Sequence, residues 1–302
     1  MTALKATKFG EEHNFNIHDT EGFDPCESDR NSCPNNTPLF AFQPFTKGDV
    51  HKIIKSLPSN KVPGCDKVNV KILKDSSPVI APIITSLIYN SFTLSTFPLP
   101  WKKAEIVPIL KSGDSEEPAN TRPISPLPIL SKVCERAAHS QFTNFLDLNN
   151  VVHHPQSGNR TLPSTESALL YLTDELLNNM DQKKISVIVL SDMSKAFDSI
   201  RHDLMLRKLR KAGVSESACA WFESYLSQHQ QVVQFQNTVS DPLPHTVGVP
   251  QGSIMDPVLV TLYINDLFRV PKHCEPLGYV DDTKIFLGFP ASELDDAISA
   301  VN

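Results

Sequence analysis

The stretch LGYVDDTKIFLGF, residues 277–289, decides how this chain folds: two adjacent carboxylates, Asp281 and Asp282, stand between apolar flanks of strand character. Side chains alternate faces along a strand, so consecutive acids surround one point in space only where the backbone turns, and Asp tolerates turns well. The pattern predicts a strand-to-strand turn carrying both acids. A third carboxylate, Asp192, ends the run ISVIVLSDM at residues 185–193. The β-branched and aliphatic residues before it predict a strand buried on both faces. Three carboxylates meeting at one sheet edge repel, raising at least one pKa, unless cations hold them ionised. Hard divalent ions at roughly 2.0–2.1 Å from carboxylate oxygens do this, and magnesium is the natural candidate.

Around this centre the composition is that of a globular protein. The 302 residues suggest about two domains, and the 40% apolar content is enough for a sizeable core. With 28 Lys+Arg against 34 Asp+Glu the net charge is -6, so the average lacks the basic footprint of a nucleic-acid binder. Local charge differs. Lys183, Lys184, Lys195, Arg201, Arg207, Lys208, Arg210 and Lys211 cluster around the Asp192 segment. They read either as a basic stripe or, from Arg207 to Lys211, as a solvated helix face. The cysteines are scattered, without a CxxC pair or zinc spacing, as expected of reduced thiols in cytosol or nucleus. No apolar run approaches about 20 residues, and the first residues lack the hydrophobic core of an export signal, so neither membrane insertion nor export is expected.

Residues 1–37 are polar and aperiodic and read as a linker or tail. A helix is expected from the N-cap Thr46 through Val50, Ile53, Ile54 and Leu57. The run VIAPIITSLIYNSFTLS (79–95) is apolar nearly all round, which predicts a buried helix with Pro82 in its first turns. Residues 101–125 switch to a β-hairpin pattern. Ser131 with Glu135 predicts a helix start, and Leu169, Leu172, Leu176 and Met180 share one predicted helical face. Gly213 is expected to end a helix, and Ala218, Trp221, Phe222 and Tyr225 to pack the next. QQVVQFQN (230–237) reads as a half-exposed strand, and Asp256-Pro257 has the form of an N-cap followed by Pro. Interleaved strands and helices with a final acidic hairpin define the class as α+β.

Several motifs in fixed order resemble the reverse transcriptase domain of non-LTR (LINE-type) retrotransposons. They are SNKVPGCD (59–66), WKKAEIVPILKSGD (101–114), NTRPISPLPILSKVCER (120–136), QSGNRTLPSTESAL (156–169), LSDMSKAFDSI (190–200), GVPQGSIMDPVLVTLYINDL (248–267) and YVDDTKIF (279–286). The resemblance spans about residues 40 to 289. It implies a right-hand polymerase with fingers over 38–184 and an incomplete palm over 185–302, the thumb being absent. It also implies an RNA-directed DNA polymerase that works on an RNA template, a DNA primer and deoxynucleoside triphosphates, inside the cell in nucleus or cytoplasm. Two Mg2+ ions, or Mn2+, would serve in-line phosphoryl transfer.

By the same resemblance, Asp192 and Asp281 bind metal and Asp282 is the adjacent supporting carboxylate. Phe197 matches an aromatic gate beneath the incoming sugar, with an ordinary core Phe as the other reading. Lys111 and Arg122 stand on the two arms of the fingers hairpin, where cations close onto a triphosphate, or else are solvated surface charges. Gln251 and Gly252 occupy a loop whose glycine lets the backbone approach template or nucleotide, or else form a simple turn. Four positions depart from the family pattern: Lys67 for a Gly, Thr121 for a Tyr, Asn159 for an aromatic residue and Asp256 for a Gly. Asp256 either brings negative charge to the nucleotide site or caps a helix. These departures, with the end at Asn302 before the thumb, define the alternative of a non-catalytic remnant that at most binds RNA.

Overall fold

The computed structural model describes residues 39–60, 62–110, 120–154, 156–158, 164–191, 193, 196–235, 238–271 and 274–293. The polar tail expected over 1–37 lies outside them. In chain order the elements are α1 (Lys47–Ser56), α2 (Val70–Thr93), β1 (Lys103–Leu110), β2 (Thr121–Ile124), α3 (Ile129–Leu148), α4 (Thr165–Asp181), β3 (Ile185–Ser191), α5 (His202–Lys211), α6 (Glu216–Leu226), β4 (His229–Phe235), β5 (Thr238–Val239), β6 (Leu243–His245), α7 (Asp256–Tyr263), β7 (Glu275–Tyr279) and β8 (Asp282–Phe289). The class is α+β.

Two sheets organise the strands. One runs β2-β1-β4, with β5 and β6 both pairing the far edge of β4; the other runs β3-β8-β7. The hairpin expected over residues 101–125 is present, with Val107 opposite Ile124 and Leu110 opposite Thr121. Pro108 and Pro123 face each other in it. Proline is tolerated there because β4 pairs in parallel only with Lys103 to Ile106 of β1, leaving Pro108 beyond the doubly paired part of the strand.

Caps set the helix boundaries. Thr46 accepts the Asp49 N–H at 3.2 Å while the Asp49 carboxylate accepts the Thr46 N–H at 3.2 Å, a capping box that opens α1. Asn69 accepts the Lys71 N–H at 2.7 Å, so α2 starts at Val70 and both Pro78 and Pro82 fall inside it. Pro78 has no N–H for the Lys74 carbonyl. That oxygen instead accepts from the Ser77 hydroxyl at 2.7 Å and the Lys55 ammonium at 3.1 Å.

Side chains from α1, α2, α3, α5, α6 and α7 share one core. At its centre Trp221 stacks on Tyr225, centroids 5.6 Å apart, and meets Phe97 edge-on at 5.6 Å. The predicted packing residues of α6, Ala218, Trp221, Phe222 and Tyr225, are all buried. Gly213, at φ +87°, follows the end of α5 as expected. The buried Trp221 N–H donates to Ser91 Oγ at 2.9 Å, and that hydroxyl donates onward to the Thr96 carbonyl at 2.8 Å.

Four expectations are corrected. The α2 helix is not apolar-buried all round: Ile84 and Ile88 face the core, whereas Val79 and Ile83 are exposed, because α1, α3 and α6 cover only one side. Strand β3 is not buried on both faces. It is an outer strand covered by α4 on one face, and Leu190 is 71% exposed. On α4 Leu172 and Asn179 are buried with Ala168 and Leu176 partly buried beside them, while Leu169 and Met180 are exposed. Helix α3 begins at Ile129 after Pro128, so Ser131 lies within its first turn and donates to Glu135 at 2.5 Å rather than capping.

Ser91→Ala removes the acceptor of a buried indole N–H and the donor to a carbonyl, an expected loss of about 1–3 kcal/mol. Denaturant titration should show a lower midpoint at unchanged slope. Trp221→Phe should then cost less in the Ser91→Ala background than in the wild type, the signature of a coupled pair.

Candidate active site

β7 and β8 form the expected hairpin, Tyr279 pairing with Asp282 across the two-residue loop Val280-Asp281. Val280 takes φ +56°, whereas Asp281 stays at negative φ, so the turn places its left-handed residue first. A β-branched residue there costs on the order of 1–3 kcal/mol. Asp281 is half-buried and Asp282 exposed. Strand β3 runs antiparallel to β8 and its last residue, Ser191, is the partner of Thr283. Asp192, next in sequence, lies outside the described residues. Thr283 is buried, and its hydroxyl has no hydrogen-bond partner among the described residues.

A second group forms around the loop at 248–253. The Gln251 side chain donates to Asp198 Oδ1 at 2.9 Å, and the Gln251 carbonyl accepts the Ser125 N–H at 2.8 Å. Gly252 has φ +123°, and a Cβ on it would stand 3.0 Å from the Ser125 carbonyl oxygen. Close backbone packing against Ser125 therefore requires glycine here. Phe197 is half-buried against the main core, and its carbonyl accepts the Val249 N–H at 2.8 Å. Phe197, Gln251 and Gly252 thus belong to one sewn-together loop pair, edged by a cavity of about 30 Å3 that Ser125, Asp198, His229 and Gln251 line. Arg122 is paired through its backbone with Ile109 on the β1–β2 hairpin. Its side chain and Lys111 lie outside the described residues.

Beneath the loop two acids are buried together. Glu135 accepts the Ile254 N–H at 2.6 Å and the Ser131 hydroxyl; Asp256 accepts the Ser253 N–H at 3.2 Å and lies 3.4 Å from the Tyr225 hydroxyl. Burial, and then the charge of Glu135, push Asp256 well above the ordinary carboxylate range; burial also raises Glu135. Asp256 is the first residue of α7 and makes no helix cap. Neither sequence reading of it holds: at 1% exposure its carboxyl presents no charge to solvent or to a polyanion.

Four of the basic residues near Asp192, Arg201, Arg207, Lys208 and Arg210, are paired with acids. Arg201 meets Asp203 at 2.8 Å, Arg207 meets the same carboxylate at 3.8 Å and Arg210 meets Glu216 at 3.2 Å. Lys208 reaches the Tyr263 carbonyl and Asp266. This supports the solvated helix face over a basic stripe.

Gln156 was not singled out from sequence. It is fully buried, its Oε1 accepts the Val280 N–H at 3.0 Å and its Nε2 donates to the Val280 carbonyl at 2.9 Å. The signal available was a polar residue beside the small pair Ser157-Gly158. Nothing local indicates that it reaches a turn so far along the chain.

The sequence profile of the family described as "Reverse transcriptase (RNA-dependent DNA polymerase)" matches residues 109–302, and the chain belongs to that family. Among its relatives is the "Probable RNA-directed DNA polymerase from transposon BS" of Drosophila melanogaster, 35% identical over 236 residues, covering 76% of this chain and 26% of the relative. The "Probable RNA-directed DNA polymerase from transposon X-element" of the same species is 31% identical, covering 74% and 25%. The "Retrovirus-related Pol polyprotein from type-1 retrotransposable element R2" of Popillia japonica is 26% identical, covering 56% and 24%. These names agree with the mobile-element kind of reverse transcriptase that the motifs resemble. The chain spans about a quarter of the length of these curated relatives. Among the described residues no helix is long and apolar enough to cross a membrane.

The Asp256 geometry fixes a pH dependence. A carboxyl whose pKa is raised on folding stabilises the fold fully below its unfolded value near 4, and that contribution is lost as pH rises through the folded value. Asp256→Asn removes the ionisation. Thermal unfolding of the variant should come closest to the wild type at or below about pH 4 and exceed it by a few degrees near pH 8; a constant difference across that range would contradict the assignment.

Proposed function

We propose that the chain is the catalytic part of an RNA-directed DNA polymerase that adds deoxynucleotides to a DNA primer 3′ hydroxyl on an RNA template. The supporting observation is the antiparallel register that sets the end of β3, at Ser191, opposite Thr283, directly beside the Asp281-Asp282 tip. In the proposed right-hand arrangement residues 38–184 make the fingers and residues 185–302 belong to the palm. The two lobes are continuous, since β1 of the first pairs with β4 of the second.

The proposed metal ligands are Asp192, Asp281 and Asp282, whose hard oxygen donors suit Mg2+, with Mn2+ as a substitute. A pair of such ions, when bound, would supply activation of the primer hydroxyl and neutralisation of the pyrophosphate. The remaining roles fall to the chain itself. Phe197 sits beneath the incoming sugar and excludes a ribose 2′ hydroxyl by contact. Arg122 grips the triphosphate with its planar fork, and Lys111 adds charge from the other arm of the hairpin. Gln251 and Gly252 present a rigid loop to the nucleotide, held by Asp198 on one side and Ser125 on the other.

Asp281→Asn should lower magnesium-dependent primer extension on an RNA template by at least about 100-fold, since losing a metal-binding carboxylate forfeits several kcal/mol of transition-state stabilisation. Equal incorporation by variant and wild type would sink the polymerase reading, and RNA binding without incorporation by either would favour the non-catalytic module.

Phe197→Val should raise ribonucleotide relative to deoxynucleotide incorporation by roughly 10–100-fold, the range that steric discrimination in a pocket supplies. An unchanged ratio would return Phe197 to the role of a core side chain.

A further inference from the structure

We infer that Gln156 is a positioning residue for the acidic hairpin, its side-chain amide holding Val280 in the left-handed conformation from which Asp281 is presented. The functional consequence rests on the polymerase reading above; the geometry does not. Val280 needs an outside hold, because a β-branched residue at φ +56° is disfavoured and the turn contains no Gly or Asn to lower that cost. Gln156 meets both polar groups of Val280 at once, accepting its N–H at 3.0 Å and donating to its carbonyl at 2.9 Å. The same Oε1 accepts the Gly158 N–H at 3.0 Å. Two N–H groups aimed at one oxygen fix the orientation of the amide, since a flipped amide would set donor against donor.

The clamp is itself held on both sides. Ser157 N–H donates to the Gly278 carbonyl at 2.8 Å, tying the segment to β7. Asn265, just after α7, accepts the His153 N–H at 2.8 Å and donates to the Val151 carbonyl at 2.8 Å, fixing the loop that delivers Gln156. Gly158 lies so near the turn that a Cβ on it would stand 2.5 Å from the Val280 nitrogen. Without the amide, Val280 relaxes toward the extended region and Asp281 turns with it.

The test compares wild type, Gln156→Ala, Gln156→Glu, Val280→Gly and the double variant Gln156→Ala/Val280→Gly. Hydrogen exchange of the peptide spanning residues 277–285 should speed up at least about tenfold in Gln156→Ala, the loss of about one buried hydrogen bond. Gln156→Glu keeps an acceptor for the N–H but loses the donor, and should be intermediate. In primer extension, Gln156→Ala should lower kcat roughly 10–100-fold with little change in nucleotide KM, because misplacement of the acids affects the chemical step. Glycine adopts positive φ freely, so adding Val280→Gly to Gln156→Ala should recover most of the lost kcat. Unaltered exchange in Gln156→Ala, or no recovery in the double variant, would overturn the inference. If the wild type incorporates nothing, the polymerase reading fails while the exchange measurement still decides the clamp.

Discussion

The pairing of β3 with β8 is the constraint on which the candidate active site depends. A slip of one residue would exchange the two faces of β3 and move the strand end away from the hairpin tip. The register is held by contacts that tolerate no shift. Asn179 of α4 donates to Ser186 Oγ at 3.1 Å and lies over Gly288, where any Cβ would stand 2.3 Å from its amide nitrogen. Ser186 and Gly288 are themselves register partners. On the same sheet Leu277 and Phe286 pack under Leu172. One buried amide and a small apolar cluster thereby fix where Ser191 stops relative to Thr283.

The loop at 248–256 is fixed differently, by buried polar groups rather than by strand pairing. Glu135 takes the Ile254 N–H, Ser253 Oγ takes the N–H groups of Met255 and Asp256, and the Tyr225 hydroxyl sits 2.5 Å from that serine oxygen. Each member leans on the main core, since Tyr225 stacks on Trp221 and Glu135 stands on α3. In a low-dielectric interior such a satisfied network is rigid, and an unpaired member would be costly. The loop that carries Gln251 and Gly252 is therefore as firmly placed as the helices beneath it. That rigidity suits a surface against which a nucleotide would be aligned.

Much of this arrangement could be read from the residues, and what could not has a common cause. The acidic hairpin, the β1–β2 hairpin, the α1 capping box and the packing face of α6 follow from local patterns: period, turn chemistry and caps act over a few residues and appear in any window that holds them. The misreadings arose where distant chain segments decide. The aliphatic run at 185–191 has the composition of a doubly covered strand, yet among the described residues it pairs with β8 at one edge and its main helical cover is α4. Ser131 has the form of a cap, but Pro128 starts the helix earlier and Glu135 takes the hydroxyl. Asp256 has the form of a surface cap or a misplaced charge because nothing nearby in sequence reveals the burial that encloses it and raises its pKa. Gln156 opens one of the quoted motifs, but its role is hidden for the same reason, its partner lying 124 residues away.

That separation also bears on how the site is assembled. The conformation of Val280 opposes local preference, so the peptide around the tip does not adopt it alone; it is imposed by a side chain that arrives only when the segment at 151–158 has docked against Asn265 and β7. Strain confined to a functional turn and opposed by long-range hydrogen bonds is the expected pattern where a backbone must present a side chain at a fixed angle. A glycine at 280 would remove the strain but also the apolar side chain that packs at the margin of the main core. Valine ties the tip to the core through its side chain, and the amide of Gln156 holds the backbone in the conformation that valine resists. The two contacts act on the same residue from different parts of the fold, so the direction of Asp281 becomes a property of the assembled domain rather than of its own turn.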